Sequence, residues 1–205
     1  MKVLIGTRNP HKLEECRRIL GDIPGIEWLT FRERPFPEVE ETGSTLEENA
    51  RLKAVSLARI TGLPTLAEDS GLEVTALGGA PGVLSARFAG VEKDYRANNE
   101  KLLALLAGVE DRRARFRTVA VLALPDGRTW MTEGVLEGEI ALAPRGSGGF
   151  GYDPLFIPLG ETRTLAELAP EEKDRISHRR RALERLRPLL SSLARGDLQF
   201  PTPPG

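Results

Sequence analysis

The amino-acid sequence predicts an α/β protein with a mixed sheet, on three observations. Short apolar runs that stop at glycine alternate with segments of helical apolar spacing. Two apolar, β-branched runs flank a Pro-Asp-Gly turn near the middle of the chain, and the last third is helical. In order, Val3-Leu4-Ile5 reads as a buried strand ending at Gly6. Leu13, Cys16, Ile19 and Leu20 then recur at helical spacing before Gly21. Trp28 to Phe31 predicts a second strand, and the proline- and glutamate-rich stretch from Arg34 to Gly43 a loop. Ser44 followed by Glu47 is a capping-box signal, and Leu46, Ala50, Ala54, Leu57 and Ala58 continue it as one helix face, closed by Gly62 and Pro64. Thr65 to Ala67 and Leu72 to Leu77 read as strand pieces flanking Glu68-Asp69-Ser70-Gly71. After the Gly78 to Gly82 break, Asp94 to Leu106 predicts a helix. Phe116 to Leu124 and Thr129 to Leu136 pair as a hairpin, and a glycine-rich loop, Gly146 to Gly151, leads to Leu155-Phe156-Ile157. Ala182, Leu183, Leu186, Leu189, Leu190 and Leu193 share a helix face, with a kink or restart expected at Pro188.

The bulk properties narrow the function. A chain of 205 residues suits one domain with room for two small lobes, here 1–196, and the proline-bearing tail 197–205 is expected to be poorly ordered. A net charge of −1 argues against broad electrostatic binding of nucleic acid or of an anionic membrane. The single cysteine, Cys16, excludes an intramolecular disulfide framework and a multi-cysteine zinc site. The first residues are too short an apolar run for a signal peptide, and no stretch reaches membrane-spanning length, so the expected location is cytoplasmic.

Four segments could carry chemistry. Thr7-Arg8-Asn9-Pro10-His11-Lys12 lies between a strand and a helix start, where unpaired N–H groups and the positive dipole end suit a phosphate. The Walker-A spacing is absent, and an N-capped helix with a solvated lysine accounts for the same residues. The acidic residues Glu38, Glu40 and Glu41 share a loop that solvation alone could explain. Glu68-Asp69 is harder to explain that way, because charges within an apolar strand region are costly unless paired or metal-bound. The run Gly146-Ser147-Gly148-Gly149-Phe150-Gly151-Tyr152-Asp153-Pro154 lets backbone approach a ligand and offers two aromatics for stacking on a base; both rings could equally tuck into the core. In Lys173 to Arg181, Ser177 as N-cap places His178, Arg179, Arg180 and Arg181 in a first helical turn. That is the wrong end for cations unless an anion or an electron-rich ligand edge sits there, although some of these arginines could face solvent or pair with acids.

Together these segments resemble the inosine triphosphate pyrophosphatase family, which removes purine triphosphates with altered bases. The matching stretches are GTRNPHK, EETGSTLEENARLKA, AEDSGLEV with GGAPGVLSARFAG, SGGFGYDP and EEKDRISHR, in family order over residues 6 to 179. One departure is Arg8, where many members carry glycine. The resemblance implies an elongated mixed β-sheet flanked by helices, two lobes with the active site in the cleft between them, and a homodimer. It assigns Asp69 as catalytic acid/base residue and magnesium ligand and Glu40 as a further ligand, with Glu41 and Glu68 able to share those roles. Thr7, Arg8, Asn9, Pro10, His11, Lys12 and Ser70 would hold the triphosphate. Phe150, Gly151, Tyr152, Asp153, Lys173, His178 and Arg179 would hold the base.

The implied reaction is hydrolysis of dITP, ITP and XTP to the monophosphate and pyrophosphate with Mg²⁺. An aspartate of ordinary pKa, about 3.9, is a feeble base at neutral pH and needs help from the metal. Hypoxanthine and xanthine present a 6-oxo acceptor where adenine has an amino donor, so donors such as Lys173, His178 and Arg179 favour the former. A pyrophosphatase for pyrimidine or methylated nucleotides is the nearest alternative. A non-catalytic nucleotide- or RNA-binding module using Arg179 to Arg181 is the alternative from another class, and the acidic residues weigh against it.

Overall fold

The computed structural model describes residues 1–90 and 93–197. The chain alternates strand and helix as β1 (Lys2–Ile5), α1 (Pro10–Leu20), β2 (Glu27–Leu29), α2 (Leu46–Thr61) and β3 (Thr65–Val74). There follow α3 (Tyr95–Leu105), β4 (Arg113–Ala123), β5 (Thr129–Ile140), β6 (Phe156–Pro158), α4 (Pro170–Ile176) and α5 (His178–Ala194). Among the described residues six strands form one sheet in the order β2-β1-β3-β4-β5-β6. β1 runs parallel to β2 and β3, with Val3 opposite Trp28 and Leu4 opposite Thr65, whereas β5 and β6 are antiparallel, with Ile140 opposite Phe156. This is the mixed sheet with flanking helices that the sequence predicts. The expected disorder of the tail falls on residues outside the described ones, apart from Asp197.

The chain divides into two compact units. The first comprises Met1–Asp69, Val119–Gly134 and the chain from Arg180; the second comprises Ser70–Thr118 and Val135–Arg179. In the first, α1 and α5 bury Leu13, Cys16, Ile19, Leu183, Leu186 and Leu190 against Val3 and Ile5 of β1 and Leu66 of β3. Arg187 of α5 closes the end of α1 by donating to the carbonyls of Ile19 (3.0 Å) and Leu20 (2.7 Å), groups with no partner inside their own helix. In the second, Leu72, Leu102, Phe116, Ile140, Leu155 and Phe156 form a separate core with Tyr152.

Local chemistry explains most element ends. Asn9 caps α1, its Oδ1 accepting from the N–H groups of His11 (3.0 Å) and Lys12 (3.3 Å), with Pro10 at the first helical position. The cap of α2 lies one residue beyond the predicted Ser44. Thr45 Oγ1 accepts from Glu48 N–H at 3.1 Å, while Ser44 donates its N–H to the Glu48 carboxylate at 2.6 Å. Glycine at 62 in the left-handed region ends that helix. The two predicted strand pieces around Glu68 to Gly71 are one strand, β3, and Thr75–Leu77 is a 3₁₀ turn. The strand passes there because Gly71 has no Cβ, which would overlap the Gly82 carbonyl. α5 runs unbroken through Pro188, so the expected restart is absent; Leu186 and Leu190, buried on either side, hold the helix against the first core.

Candidate active site

The first unit gathers three carboxylates around two lysines. Glu68 and Asp69 are consecutive on β3 and both are buried, which requires compensation for each charge. Lys12, in the first turn of α1, places Nζ 3.0 Å from Glu68 Oε1. Lys53, on α2, lies 3.7 Å from Asp69 Oδ1 and 2.6 Å from Glu41 Oε1. Burial pushes the Asp69 carboxyl above its ordinary value. The Lys53 and then the Lys12 charge pull it back, while Glu41 and Glu68 add to the push. A carboxylate so raised is a better proton acceptor than an ordinary aspartate, which answers part of the weakness inferred from the sequence.

The donor chemistry suits magnesium, which takes hard oxygens and is commonly held by one or two carboxylates together with phosphates and water. Glu41, Glu68 and Asp69 supply such oxygens within one charge-coupled group. Among the described residues no three of His, Cys, Asp and Glu form a metal-binding group. Glu40 is exposed on its loop, and it is the adjacent Glu41 whose carboxylate reaches Lys53. The loop before α2 is shaped by Asn49, whose buried Oδ1 accepts the Gly43 N–H at 2.7 Å.

At the start of α1 the hydrogen-bonding capacity is partly used. Thr7 Oγ1 accepts from Asn9 N–H at 3.2 Å, and Asn9 takes the His11 and Lys12 N–H groups. A phosphate arriving here would exchange with these caps. Arg8 and His11 are exposed, and Lys12 is not a solvated lysine, its side chain being 18% exposed and paired with Glu68.

The second unit begins at Ser70, the residue after Asp69, and carries the other predicted group. Ser70 Oγ lies 2.7 Å from Thr118 Oγ1 and accepts from Arg179 Nη2 at 3.3 Å. Arg179, 1% exposed, is the largest fully buried side chain among the described residues. Lys173 and Asp153 form a buried pair at 2.6 Å, and Asp153 Oδ2 also accepts the Phe150 N–H at 3.0 Å. Gly149 is required beside it, since a Cβ would overlap that carboxylate. Lys173 Nζ stands 4.8 Å and Arg179 Cζ 5.8 Å from the centroid of the Phe150 ring. His178 stacks on Phe116 at 4.7 Å with the planes 12° apart.

The two loop aromatics divide their roles. Tyr152 is buried in the second core and donates its hydroxyl to the Ser85 carbonyl at 2.7 Å; burial pushes that hydroxyl's pKa well up. Phe150 stays half-buried and is the ring with cations around it. Of the four basic residues opening α5, Arg180 pairs with Glu184 at 3.1 Å and Arg181 is exposed, which leaves His178 and Arg179 as the inward pair. Lys53, Thr118, Phe116 and Tyr95 were not singled out from sequence. Lys53 had a visible signal: it follows Leu46 and Ala50 and precedes Leu57 on the apolar stripe of α2, where a lysine is out of place.

The group in the first unit can hold phosphate and a cation, and the group in the second a planar ring; each by itself is equipment of an α/β nucleotide-handling protein. The chain belongs to the Ham1 family, whose family model matches residues 3–189. It is 53% identical over 182 residues to a dITP/XTP pyrophosphatase of Syntrophobacter fumaroxidans, covering 88% of this chain and 78% of that protein. It is 52% identical over 194 residues to a dITP/XTP pyrophosphatase of Elusimicrobium minutum, covering 91% and 98%. Among solved structures, the HAM1 protein from Coxiella burnetii superposes with a TM-score of 0.85 at 43% identity, covering 94% of this chain and 99% of that one. The family resemblance carried by the five motifs is thereby borne out.

Proposed function

We propose that this chain is a pyrophosphatase for non-standard purine nucleoside triphosphates, hydrolysing dITP, ITP and XTP to the monophosphate and pyrophosphate. The names of its relatives at about half identity over most of their length support the substrate class. The observation that carries the chemistry is the buried Asp69 carboxylate, raised in pKa and set among Lys53, Lys12, Glu41 and Glu68.

In this reading Asp69 accepts a proton from the water that attacks the α-phosphorus. The bond from that phosphorus to the bridging oxygen breaks, and pyrophosphate leaves with the electron pair. Lys12 and Lys53 offset the negative charge of the phosphates, which supplies most of the rate enhancement in phosphoryl transfer. Asp69 and Glu40, with Glu41 or Glu68 sharing the role, would hold Mg²⁺, which when bound supplies Lewis acidity and charge neutralisation. Thr7 to Lys12 and Ser70 bind the triphosphate. Phe150 stacks on the base, and Lys173, His178 and Arg179 direct donors at its 6-oxo edge. Homodimer formation, which the resemblance implies, and a cytoplasmic location are part of the same proposal. Among the described residues no helix is long and apolar enough to cross a membrane.

Pyrophosphate release measured across ITP, dITP, XTP, GTP and ATP, with and without magnesium, tests the reading. Release from the first three that depends on magnesium is expected. No release from any of them, alongside salt-sensitive RNA binding, would favour a binding module instead.

A further inference from the structure

Phe150 stands between glycines on its loop, and both flanking residues are in the left-handed region, Gly149 at φ +66° and Gly151 at φ +61°. A ring on so permissive a backbone binds a flat base well only if the loop is already held, since ordering it on binding costs affinity. Two holds come from the end of the loop: Asp153 Oδ2 accepts the Phe150 N–H, and the Tyr152 hydroxyl reaches the Ser85 carbonyl. The third comes from α3. Asn99 Nδ2 donates to the Gly151 carbonyl at 3.1 Å. Tyr95, one helical turn earlier on the same face, sets its ring 6.2 Å from that of Phe150 at 48°.

α3 is itself a firm support. Asp94 caps it by accepting the Ala97 N–H at 3.0 Å. Asn98 is buried and joins two points of the chain, accepting from Ala89 N–H at 2.8 Å and donating to the Ala86 carbonyl at 3.1 Å. Leu102 is fully buried in the second core. Asn99 also carries a cost: its Oδ1 is buried with no hydrogen-bond partner among the described residues. A leucine there would avoid that cost, so the amide is better explained by the loop it holds than by helix stability.

We infer that Asn99 and Tyr95 are positioning residues for base recognition, holding the Phe150 ring beside Lys173 and Arg179. The inference rests on the reading of Phe150 as a base contact. Asn99→Ala should raise the KM for ITP by about 2- to 12-fold, the span of one neutral hydrogen bond, with kcat little changed. XTP should suffer by the same factor, because the effect passes through the ring and not through an atom of the base. In a Phe150→Ala background, Asn99→Ala should change nothing further, since the group it acts through is gone. Tyr95→Ala should show the same dependence on Phe150, and Tyr95→Phe should behave as wild type. Steady-state kinetics on these variants, each checked by thermal melting, decide the matter. A wild-type KM for Asn99→Ala, an equal effect in the Phe150→Ala background, or loss of the fold in both Asn99→Ala and Tyr95→Ala overturns the inference. A wild-type KM for Phe150→Ala overturns instead the reading beneath it.

Discussion

Removing the Asp153 carboxylate tests how the base group is built. Asp153 and Lys173 are each 4% exposed at the side chain and 2.6 Å apart, so Asp153→Ala takes the carboxylate away from a buried ammonium. Breaking a buried pair on one side costs about 3–5 kcal/mol, chiefly because the remaining charge loses the opposite charge that offset its desolvation. The same change frees the Phe150 N–H, which Asp153 Oδ2 now accepts. With about 2–4 °C lost per kcal/mol in a chain of this size, the melting temperature should fall by roughly 6–20 °C. The reasoning makes a second demand. Asp153→Asn combined with Lys173→Met removes both charges at near-constant volume, so it should recover much of the stability lost in Asp153→Ala. Discrimination between ITP and ATP should not recover, because the Lys173 donor is gone. Thermal and urea unfolding of the three proteins, with kcat/KM for both nucleotides, provide the numbers. A double variant at least as unstable as Asp153→Ala would refute the argument from the buried Lys173 charge. A loss below about 1 kcal/mol in Asp153→Ala would place the pair in the class of surface bridges.

Asp69→Asn keeps the shape of the side chain and removes its charge; pyrophosphate release should vanish while the circular dichroism spectrum stays that of the wild type. Arg179→Ala should lower kcat/KM for ITP and XTP by about 10- to 150-fold and for ATP much less, the range for one hydrogen bond from a charged donor. Lys12→Ala should slow ITP, XTP and GTP by similar factors, since it faces the shared phosphates; unequal factors would move Lys12 out of that role. On the surface, hydrogen bonds from the Arg113 side chain and then its backbone hold the Asp111 carboxyl at about 2, below its ordinary 3.8. The folded value lies under the unfolded one, so Asp111 contributes to stability above about pH 4. That contribution is lost as the pH falls through about 2. Carboxyl NMR across that window, in wild type and in Arg113→Ala, measures it, and an unchanged midpoint in the variant would remove the cause.

Elements whose causes lie within a few residues were legible from the sequence. The strand at Val3 to Ile5, the cap at the start of α1, the Pro-Asp-Gly hairpin and the apolar face of α5 all follow from periodicity and short-range hydrogen bonding. The turn at Asp126-Gly127 needs only the Leu124 N–H on the Arg128 carbonyl at 2.9 Å and a glycine at φ +96°. Where two local solutions differ little in energy, local pattern places an element end only to within a residue. Ser44 and Thr45 both serve Glu48, and only the packed start of α2 selects Thr45 as the cap.

By itself the sequence determined the alternation of strands and helices, the acids at Glu68 and Asp69, the glycine-rich aromatic loop and the basic turn after Ser177. It also carried the family, because five motifs in order need no coordinates. Tertiary structure alone decided which charges meet. Lys53 reaches Asp69 and Glu41 because α2 packs Leu57 and Ala54 into the core and brings the lysine on the same stripe to β3. Tertiary packing likewise made one strand of what read as two pieces, since the charges that seem to interrupt it are met by lysines from α1 and α2. It also sent Tyr152 inward to Ser85 and left Phe150 half-exposed beside Lys173 and Arg179. These outcomes depend on groups distant in sequence, whose desolvation is offset only when the whole fold brings them together. No local pattern encodes that sum.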